Sequence, residues 1–547
     1  MAPQPSPSLR STSTIELSTF TTSQTRLHRP EAAHIAGESH TYPTIIQEND
    51  SDEELAAANV QFVTTKGRSA AIIVSIAMVT GVGSMLNGLV TVILPTVDRD
   101  LMLGPELLIW PIAITPLTCG CTLLLAGSIC DAVGSKIMYL GGTILQTVFV
   151  LGSGLSQNGF QMVLFRGLAG IAISFCLPSA VSIITSSFVG KQRNMAFAVL
   201  GSGQPLGFVV GLVLGGVLTQ FVTWRLGFYI GSGIIAANII LILWAVPNIG
   251  SGTLTWKEKR KQIISDIDWV GAGLACASLA MTSYVFATIT GSTRNTRQPS
   301  SIALLAVGMA LVPAFVLWVG RQEKLGRPAI IPNSVWKNRY FTTICLAVFF
   351  AWGTFNSVET ILTFYFQEVQ KLSPLETSVR FLPSAVVGFS MNIIAGALVA
   401  RVSANLMVNV GLFITCVAPL AMTFATPSSS FWTSGFIANV FSAVGVDALF
   451  TVANLLITSV FPAKTQALAG GVFNTVGQIG KSVGIALTQV VASSVTARSL
   501  YPDKHSPDAL MEGYKGAFWF NFGVCALTLA LGLFGLRKIG KVGHKRD

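Results

Sequence analysis

Charged residues are scarce in this sequence. Of its 547 residues, 11% are Asp, Glu, Lys or Arg, whereas 51% are hydrophobic. Soluble domains carry roughly 25% charged residues, which keep the folded surface hydrated. A chain with so little charge has no means of covering a large apolar core with a polar surface. The composition therefore excludes a water-soluble enzyme and indicates an integral membrane protein.

The residue patterns that catalysis and metal binding require are also missing. The five histidines lie outside the apolar segments, and the eight cysteines show no metal-ligand spacing. No glycine-rich phosphate loop followed by Lys-Ser/Thr occurs. We therefore predict no enzyme activity, no metal and no cofactor. The net charge of +11 is spread over short segments, which favours contact with anionic lipid over nucleic-acid binding.

Long apolar segments recur along the whole chain. About 20 residues at 1.5 Å per residue are enough to cross the ~30 Å hydrocarbon layer. Because lipid satisfies no backbone N–H or C=O group, such segments are predicted to be helices. Fourteen spans are predicted: 70–94, 108–130, 137–156, 160–186, 194–221, 226–247, 269–290, 301–320, 342–366, 378–400, 404–424, 431–460, 466–495 and 516–537.

Lysine and arginine in the connecting segments predict the topology. An even number of spans places both termini on one side of the membrane. With the termini inside, the inner segments hold 24 basic residues and the outer segments hold nine. Basic residues concentrate on the cytosolic side, so both termini are predicted to be cytosolic. We expect a monomer in the lipid bilayer of the plasma membrane, with the vacuolar membrane as the alternative.

The basic segments divide the spans into groups of six, two and six, as in membrane proteins built from repeats. We predict an all-α protein with two six-helix bundles. The predicted regions are a disordered cytosolic tail (1–69), the N-terminal bundle (70–247), a basic linker (248–268), two extra spans (269–320), a second linker (321–341), the C-terminal bundle (342–537) and a basic cytosolic tail (538–547).

The segment between spans 2 and 3 carries a recognisable motif, formed by Gly127, Asp131, Gly134 and Lys136. Its glycines allow two helix ends to approach closely, and its aspartate is suited to capping a helix or pairing with a base. In spacing and position it resembles the signature loop of the major facilitator superfamily, G-x-x-x-D-x-x-G-x-[RK]. An ordinary helix–turn–helix is the alternative interpretation.

The order of further short motifs along residues 80–495 is similar to the fourteen-span drug:H⁺ antiporter branch of that superfamily. The resemblance implies two six-helix bundles around a central cavity, with two extra spans. It also implies proton-coupled export of small amphipathic organic compounds, such as drugs, toxins or secondary metabolites, by alternating access. The alternatives are a narrow carrier for a small polar or inorganic solute such as borate or ammonium, and a transporter-like sensor.

Spans 5 and 1 depart from the pattern of that branch. Span 5 resembles the antiporter motif G-x-x-x-G-P-x-x-G-G but has Leu212 in place of the motif's proline, and plain small-residue packing is the alternative. Its motif residues are Gly203, Pro205, Gly211, Gly215 and Gly216. Span 1 has Leu86 where the branch usually has aspartate, and Asn87 follows. An amide binds no proton near neutral pH, so a proton-coupling role for span 1 is not expected.

Apart from charged residues in loops or at span ends, four remain inside the predicted spans: Arg166, Glu359, Asp447 and Lys481. A charge in hydrocarbon costs at least ~2.5 kcal/mol, so each is a candidate for proton coupling. The resemblance places Asp447 and Lys481 in one bundle, and we predict a buried pair that protonation of Asp447 breaks. A static pair is the alternative. Arg166 matches the family's span-4 arginine, which implies a part in proton transfer, with a snorkelling arginine as the alternative.

Polar residues at helical spacing form stripes on spans 9 and 13. Such stripes are suited to line a cavity between the bundles or to form hydrogen bonds between helices. The predicted cavity residues are Asn87, Asn356, Thr363, Gln367, Asn474 and Gln478.

Replacing Asp447 with Asn tests the predicted Asp447–Lys481 pair. We expect Asp447→Asn to abolish pH-driven transport while the protein remains in the membrane, because the amide takes up no proton. Transport under an imposed pH gradient, normalised to the amount of protein in the membrane, measures the effect. Normal coupling in this variant would contradict the prediction.

Overall fold

The structure is a computed structural model. It describes residues 66–188, 190–246, 267–291, 298–398, 402–460 and 463–537, together with a few positions between 257 and 265. The predictions for most of the N-terminal tail, for much of the basic linker and for the C-terminal tail lie outside the described residues.

Fourteen helices of 20 residues or more account for most of the described chain, and each overlaps one predicted span. They are α1 (Lys66–Leu101), α2 (Trp110–Val133), α3 (Ser135–Leu155), α4 (Gly159–Ser187), α5 (Gly190–Phe221), α6 (Arg225–Ala245), α7 (Trp269–Gly291), α8 (Pro299–Lys324), α9 (Arg339–Phe364), α10 (Pro374–Leu398), α11 (Ala404–Thr423), α12 (Phe436–Val460), α13 (Ala463–Arg498) and α14 (Pro507–Gly535).

The prediction of an all-α membrane protein is confirmed for the described residues, which contain no strand. Eleven of the helices are long and apolar enough over their described residues to cross a membrane. The other three are α7, α10 and α13, so a total of fourteen spans stays a prediction. Two short π-helical segments extend this framework, Tyr365–Val369 after α9 and Phe431–Gly435 before α12.

The helices pack as two repeated halves. In the first half α1 packs on α5 and α6, α3 on α4 and α6, and α2 on α4. The same pattern recurs eight helices later, with α9 on α13 and α14, α11 on α12 and α14, and α10 on α12. The halves meet through two further helix pairs, α2 with α13 and α5 with α10. These two pairs are equivalent, because α10 corresponds to α2 and α13 corresponds to α5 in the repeat.

Helices α7 and α8 lie at the periphery of these halves. They pack on each other, and α7 also contacts α2 and α13. Most of α8 is exposed, including apolar side chains such as Leu317, which is 75% exposed. In a membrane protein such a surface faces lipid, which is an apolar solvent.

Glycines hold the first helix of each half tightly against the fifth. A Cβ atom at Gly207 of α5 would overlap the Gly81 carbonyl of α1, and one at Gly211 would overlap the Met85 carbonyl. In the second half a Cβ at Gly353 of α9 would come within 2.8 Å of a carbonyl of α13. Both helix pairs therefore touch backbone to backbone, which only glycine permits at these positions.

Replacing Gly207 with Val tests this packing. We expect Gly207→Val to destabilise the protein by ~1–3 kcal/mol or more, because the side chain has no space against Gly81. The thermal unfolding midpoint in detergent measures the change. Gly233→Val on α6 is the matched control, since a Cβ there meets nothing within 4 Å. Equal midpoints for both variants would contradict the packing argument.

Candidate functional site

Arg166 of α4 ties three helices of the first half together. Its side chain is 3% exposed. Nε donates a hydrogen bond to the Pro111 carbonyl of α2 (2.7 Å), and Nη2 donates to Oδ1 of Asn87 on α1 (3.2 Å). The Thr115 hydroxyl of α2 donates to the Arg166 carbonyl (3.1 Å). Arg166 is therefore anchored between helices and is not a side chain reaching for the membrane surface.

Asn87, and not Leu86, is the α1 residue that meets this arginine. Leu86 is 3% exposed and belongs to the apolar core, where its Cδ2 faces Gly231 of α6. The guanidinium of Arg166 is thus hydrogen-bonded to an amide oxygen and a carbonyl oxygen. The sequence suggested an altered span 1, but the direction in which Asn87 points depends on how α1 packs against α4.

The charged groups of the second half form one cluster around Glu359. This α9 side chain is 3% exposed, and its Oε1 has no hydrogen-bond partner among the described residues. Asp447 of α12 and Lys481 of α13 act electrostatically on its carboxyl, and Ser384 of α10 also interacts with it. Three other helices therefore contribute polar or charged groups to this buried carboxyl of α9.

Lys481 stands at the face between the halves. Its Nζ lies 4.1 Å from the ring centroid of Trp352 on α9. A cation over an indole ring gains ~0.5–2 kcal/mol, depending on its desolvation. Its electrostatic neighbours are Glu359 and Cys119, and Cys119 belongs to α2 of the first half. The predicted pairing of Lys481 with Asp447 stays a prediction.

Asp447 and Trp352 have further neighbours around this cluster. The Asp447 carboxylate faces α10, where a Cβ on Gly388 would come within 2.9 Å of its Oδ2. The Trp352 ring meets Phe355 and Phe450 in T-shaped contacts, with centroids 5.9 and 6.2 Å away. This aromatic group was not predicted from the sequence. The one feature of the sequence that indicates it is the spacing of Trp352 and Glu359, which are seven residues apart and therefore lie on one face of the helix.

Some polar side chains in the stripe of α9 form hydrogen bonds with backbone carbonyl groups of the same helix. Asn356 donates to the Trp352 carbonyl (3.0 Å), and the Thr363 hydroxyl donates to the Glu359 carbonyl (3.0 Å). Gln367 is buried, and its Nε2 donates to the Val92 carbonyl of α1 (2.7 Å). The structure therefore places Gln367 in the contact between the two halves. A role in binding substrate stays a prediction for all three residues.

The polar stripe of α13 is more exposed than that of α9. Asn474 is exposed, and its Nδ2 donates to the Gly470 carbonyl (2.9 Å). Gln478 is half-buried and packs against α2, where its Cβ would lie 3.2 Å from a Cβ on Gly120. Asn474 and Gln478 keep their predicted role as candidate cavity residues.

The halves close against each other where α1 and α5 end and α10 begins. A Cβ on Gly216 would come within 2.9 Å of the backbone of Pro374 and Leu375, and the Ser378 hydroxyl donates to the Leu212 carbonyl (2.7 Å). One apolar cluster in this region contains residues of both halves. The predicted topology places this closed end on the outer side of the membrane.

The glycines of the span-5 motif have two different partners. Gly203, Gly211 and Gly215 face the backbone of α1, whereas Gly216 faces α10 of the other half. Pro205 lies in the same helix and is half-buried. The motif thus contributes to the rigidity of the first half and to the contact between the halves.

The signature loop is a one-residue junction. Gly134 ends α2 and begins α3 with φ of 106°, a conformation that only glycine adopts readily, and its N–H donates to the Cys130 carbonyl (2.9 Å). Gly127 lies in ordinary contact distance of Pro178 on α4, and Lys136 is half-buried. The Asp131 side chain lies outside the described residues, so its predicted role is untested.

Two repeated halves of long apolar helices, with charged side chains where the halves meet, define the chain as a membrane carrier. The family model of the Major Facilitator Superfamily matches residues 76–485. The chain therefore belongs to this superfamily, and the predictions of that family and of a non-enzymatic protein are confirmed.

Two relatives and one solved structure illustrate the similarity. "MFS-type transporter 1" of Pyricularia oryzae is 38% identical over 525 residues, covering 88% of this chain and 85% of that protein. The multidrug transporter mfsC of Aspergillus fumigatus is 25% identical over 442 residues, covering 80% and 82%. A bacterial homologue of the human lysosomal transporter Spinster shares the fold, with a TM-score of 0.60, 15% identity and coverage of 87% and 98%.

Replacing Gly216 with Val tests the closed end. We expect Gly216→Val to fold, because α1 and α5 still pack, but to hold the halves apart. A cysteine introduced at the fully buried Ser378 reports the change through labelling by a thiol reagent. Labelling is expected to rise several-fold relative to Gly201→Val, where a Cβ meets nothing within 4 Å. Equal labelling in the two variants would contradict the proposed contact.

Proposed function

We propose that this carrier is a proton-coupled antiporter that exports small amphipathic organic compounds by alternating access. The observation that carries the proposal is the buried Glu359 carboxyl, which shares one cluster with Asp447 and Lys481. A carboxyl in such a site has two states, charged and neutral, that differ strongly in their interaction with a nearby ammonium. Proton binding is thereby linked to the position of Lys481.

The proposed cycle follows from the position of Lys481, which belongs to this cluster and lies beside α2 of the first half. When Glu359 is ionised it attracts Lys481, and when it is protonated that attraction is lost. Lys481 also lies near α2 of the first half, so a change in its position alters the contact between the halves. A proton gradient then biases the equilibrium between two arrangements of the halves.

The proposed substrate class rests on the surroundings of the cluster. The Trp352 and Phe355 rings offer apolar surface, and Asn356 and Gln478 offer polar groups beside it. Sites of this mixed character suit amphipathic molecules. Transport of small organic compounds agrees with the similarity to a protein named as a multidrug transporter. We expect the protein to work as a monomer in the plasma membrane, with both termini in the cytosol.

One observation favours a second candidate, a narrow carrier for a small polar or inorganic solute. Arg166 donates to the Asn87 amide, and Leu86 stands where the antiporter branch that the sequence resembles usually has an aspartate. This arrangement removes one proton-binding group from the first half, and proton coupling must then depend on the second half alone.

Replacing Glu359 with Gln tests proton coupling. We expect Glu359→Gln in proteoliposomes to reduce pH-driven flux of a fluorescent amphipathic dye to the level of empty vesicles, because the amide takes up no proton. Exchange of dye across the vesicle membrane without a gradient should persist, since it requires only the movement of the halves.

Glu376→Gln is the matched control. Glu376 is exposed at the start of α10, where its carboxylate accepts hydrogen bonds from the backbone N–H and hydroxyl of Ser373 (both 2.9 Å). Glutamine retains an acceptor there, so normal flux is expected. PH-driven flux that survives in Glu359→Gln would contradict the proposed role of Glu359.

A further inference from the structure

The charge on Arg166 has no counter-ion among the described residues. Its side chain donates hydrogen bonds to the Pro111 carbonyl and to the Asn87 amide oxygen, both of which are neutral. The Arg166 side chain is 3% exposed, and its positive charge is thus stabilised only by the dipoles of neutral groups.

Acidic groups of the described chain interact with other residues. Glu359 belongs to the cluster with Asp447 and Lys481 in the second half. Asp98, near the end of α1, interacts with Glu368 and Arg99. None of these carboxylates accepts a hydrogen bond from Arg166, whose side chain donates to two neutral groups.

A buried cation without a counter-ion is costly in an apolar protein, and such residues in membrane carriers commonly mark the path of a charged ligand. Two donors remain for such a ligand. Nη1 of Arg166 and Nδ2 of Asn87 have no acceptor among the described residues, and neither atom is fully enclosed. Both belong to one hydrogen-bonded pair, so their free N–H groups lie close together.

We propose that Arg166 and Asn87 form a binding site for the anionic group of the substrate, and that the preferred substrates are amphipathic organic anions such as carboxylates. The anion accepts hydrogen bonds from Nη1 of Arg166 and from Nδ2 of Asn87 and neutralises the buried guanidinium. This inference rests on the proposed function, because it names the charge of the amphipathic compounds that the carrier moves.

Proton and anion occupy different halves in this account. The anion binds between α1 and α4, whereas the proton binds on α9. They therefore do not compete for one site, and their exchange depends on the movement of the halves. Binding of the anion is thus measurable without a proton gradient.

The experiment compares a charged probe with an uncharged twin. The full-length protein, purified in detergent at pH 7, is titrated with dansyl-aminoundecanoic acid and with the corresponding primary amide. We expect the wild-type protein to bind the acid at least about tenfold more tightly than the amide, because the carboxylate supplies the missing counter-ion. Equal affinities, or tighter binding of the amide, would overturn the proposal.

Asn87→Asp gives the sharper test. Aspartate at this position supplies a carboxylate to Arg166 from within the protein, so the acid should lose its advantage of about tenfold while affinity for the amide is unchanged. Asn333→Asp is the matched control, since it makes the same substitution on the segment between α8 and α9, where Nδ2 of Asn333 donates to the Val316 carbonyl (3.0 Å), and should preserve the preference for the acid. Unchanged preference for the acid in Asn87→Asp would contradict the assignment.

The result is independent of proton coupling. If Glu359→Gln left pH-driven flux unchanged, the proposed antiport would be wrong. The preference for the acid would still be tested independently by the two titrations. Retained amide binding shows that Asn87→Asp is folded. If this variant does not fold, the wild-type comparison of acid and amide decides the question alone.

Discussion

Contact between helix backbones is the constraint on which the rest of the structure depends. Glycines at Gly207 and Gly211 let α5 lie directly on α1, and Gly353 does the same for α9 and α13. Helices packed this closely have no room to slide or to admit a side chain between them. In the proposed cycle each half therefore moves as a body, and conformational change is confined to the contacts between halves.

The buried charges follow from the same arrangement. Charged side chains are tolerated in apolar helices where other helices or a cavity supply partners. The first half holds Arg166 beside a neutral amide, whereas the second half holds Glu359 and Lys481 in one cluster. The two halves repeat in topology and differ in chemistry, which assigns proton binding and anion binding to different bundles in our proposals.

Much of the fold follows from the sequence, because long apolar segments in lipid have no other conformation than the helix. Each predicted span overlaps one observed helix for this reason. The sequence does not specify which face of each helix meets which neighbour. Gln367 was expected to line a cavity and is found in a contact between halves, and the contact of Lys481 with Trp352 was not foreseen. Such details depend on the rotation of each helix, which is determined by packing.

Distances between spin labels test the movement of rigid halves most directly. Labels at Phe221 and Lys371, both exposed, report the distance between halves, and labels at Phe221 and Met102 report a distance within the first half. The account predicts that substrate and pH change the distribution between the halves and leave the one within the first half unchanged. Equal changes in both distributions, or a change confined to the pair within the first half, would contradict it.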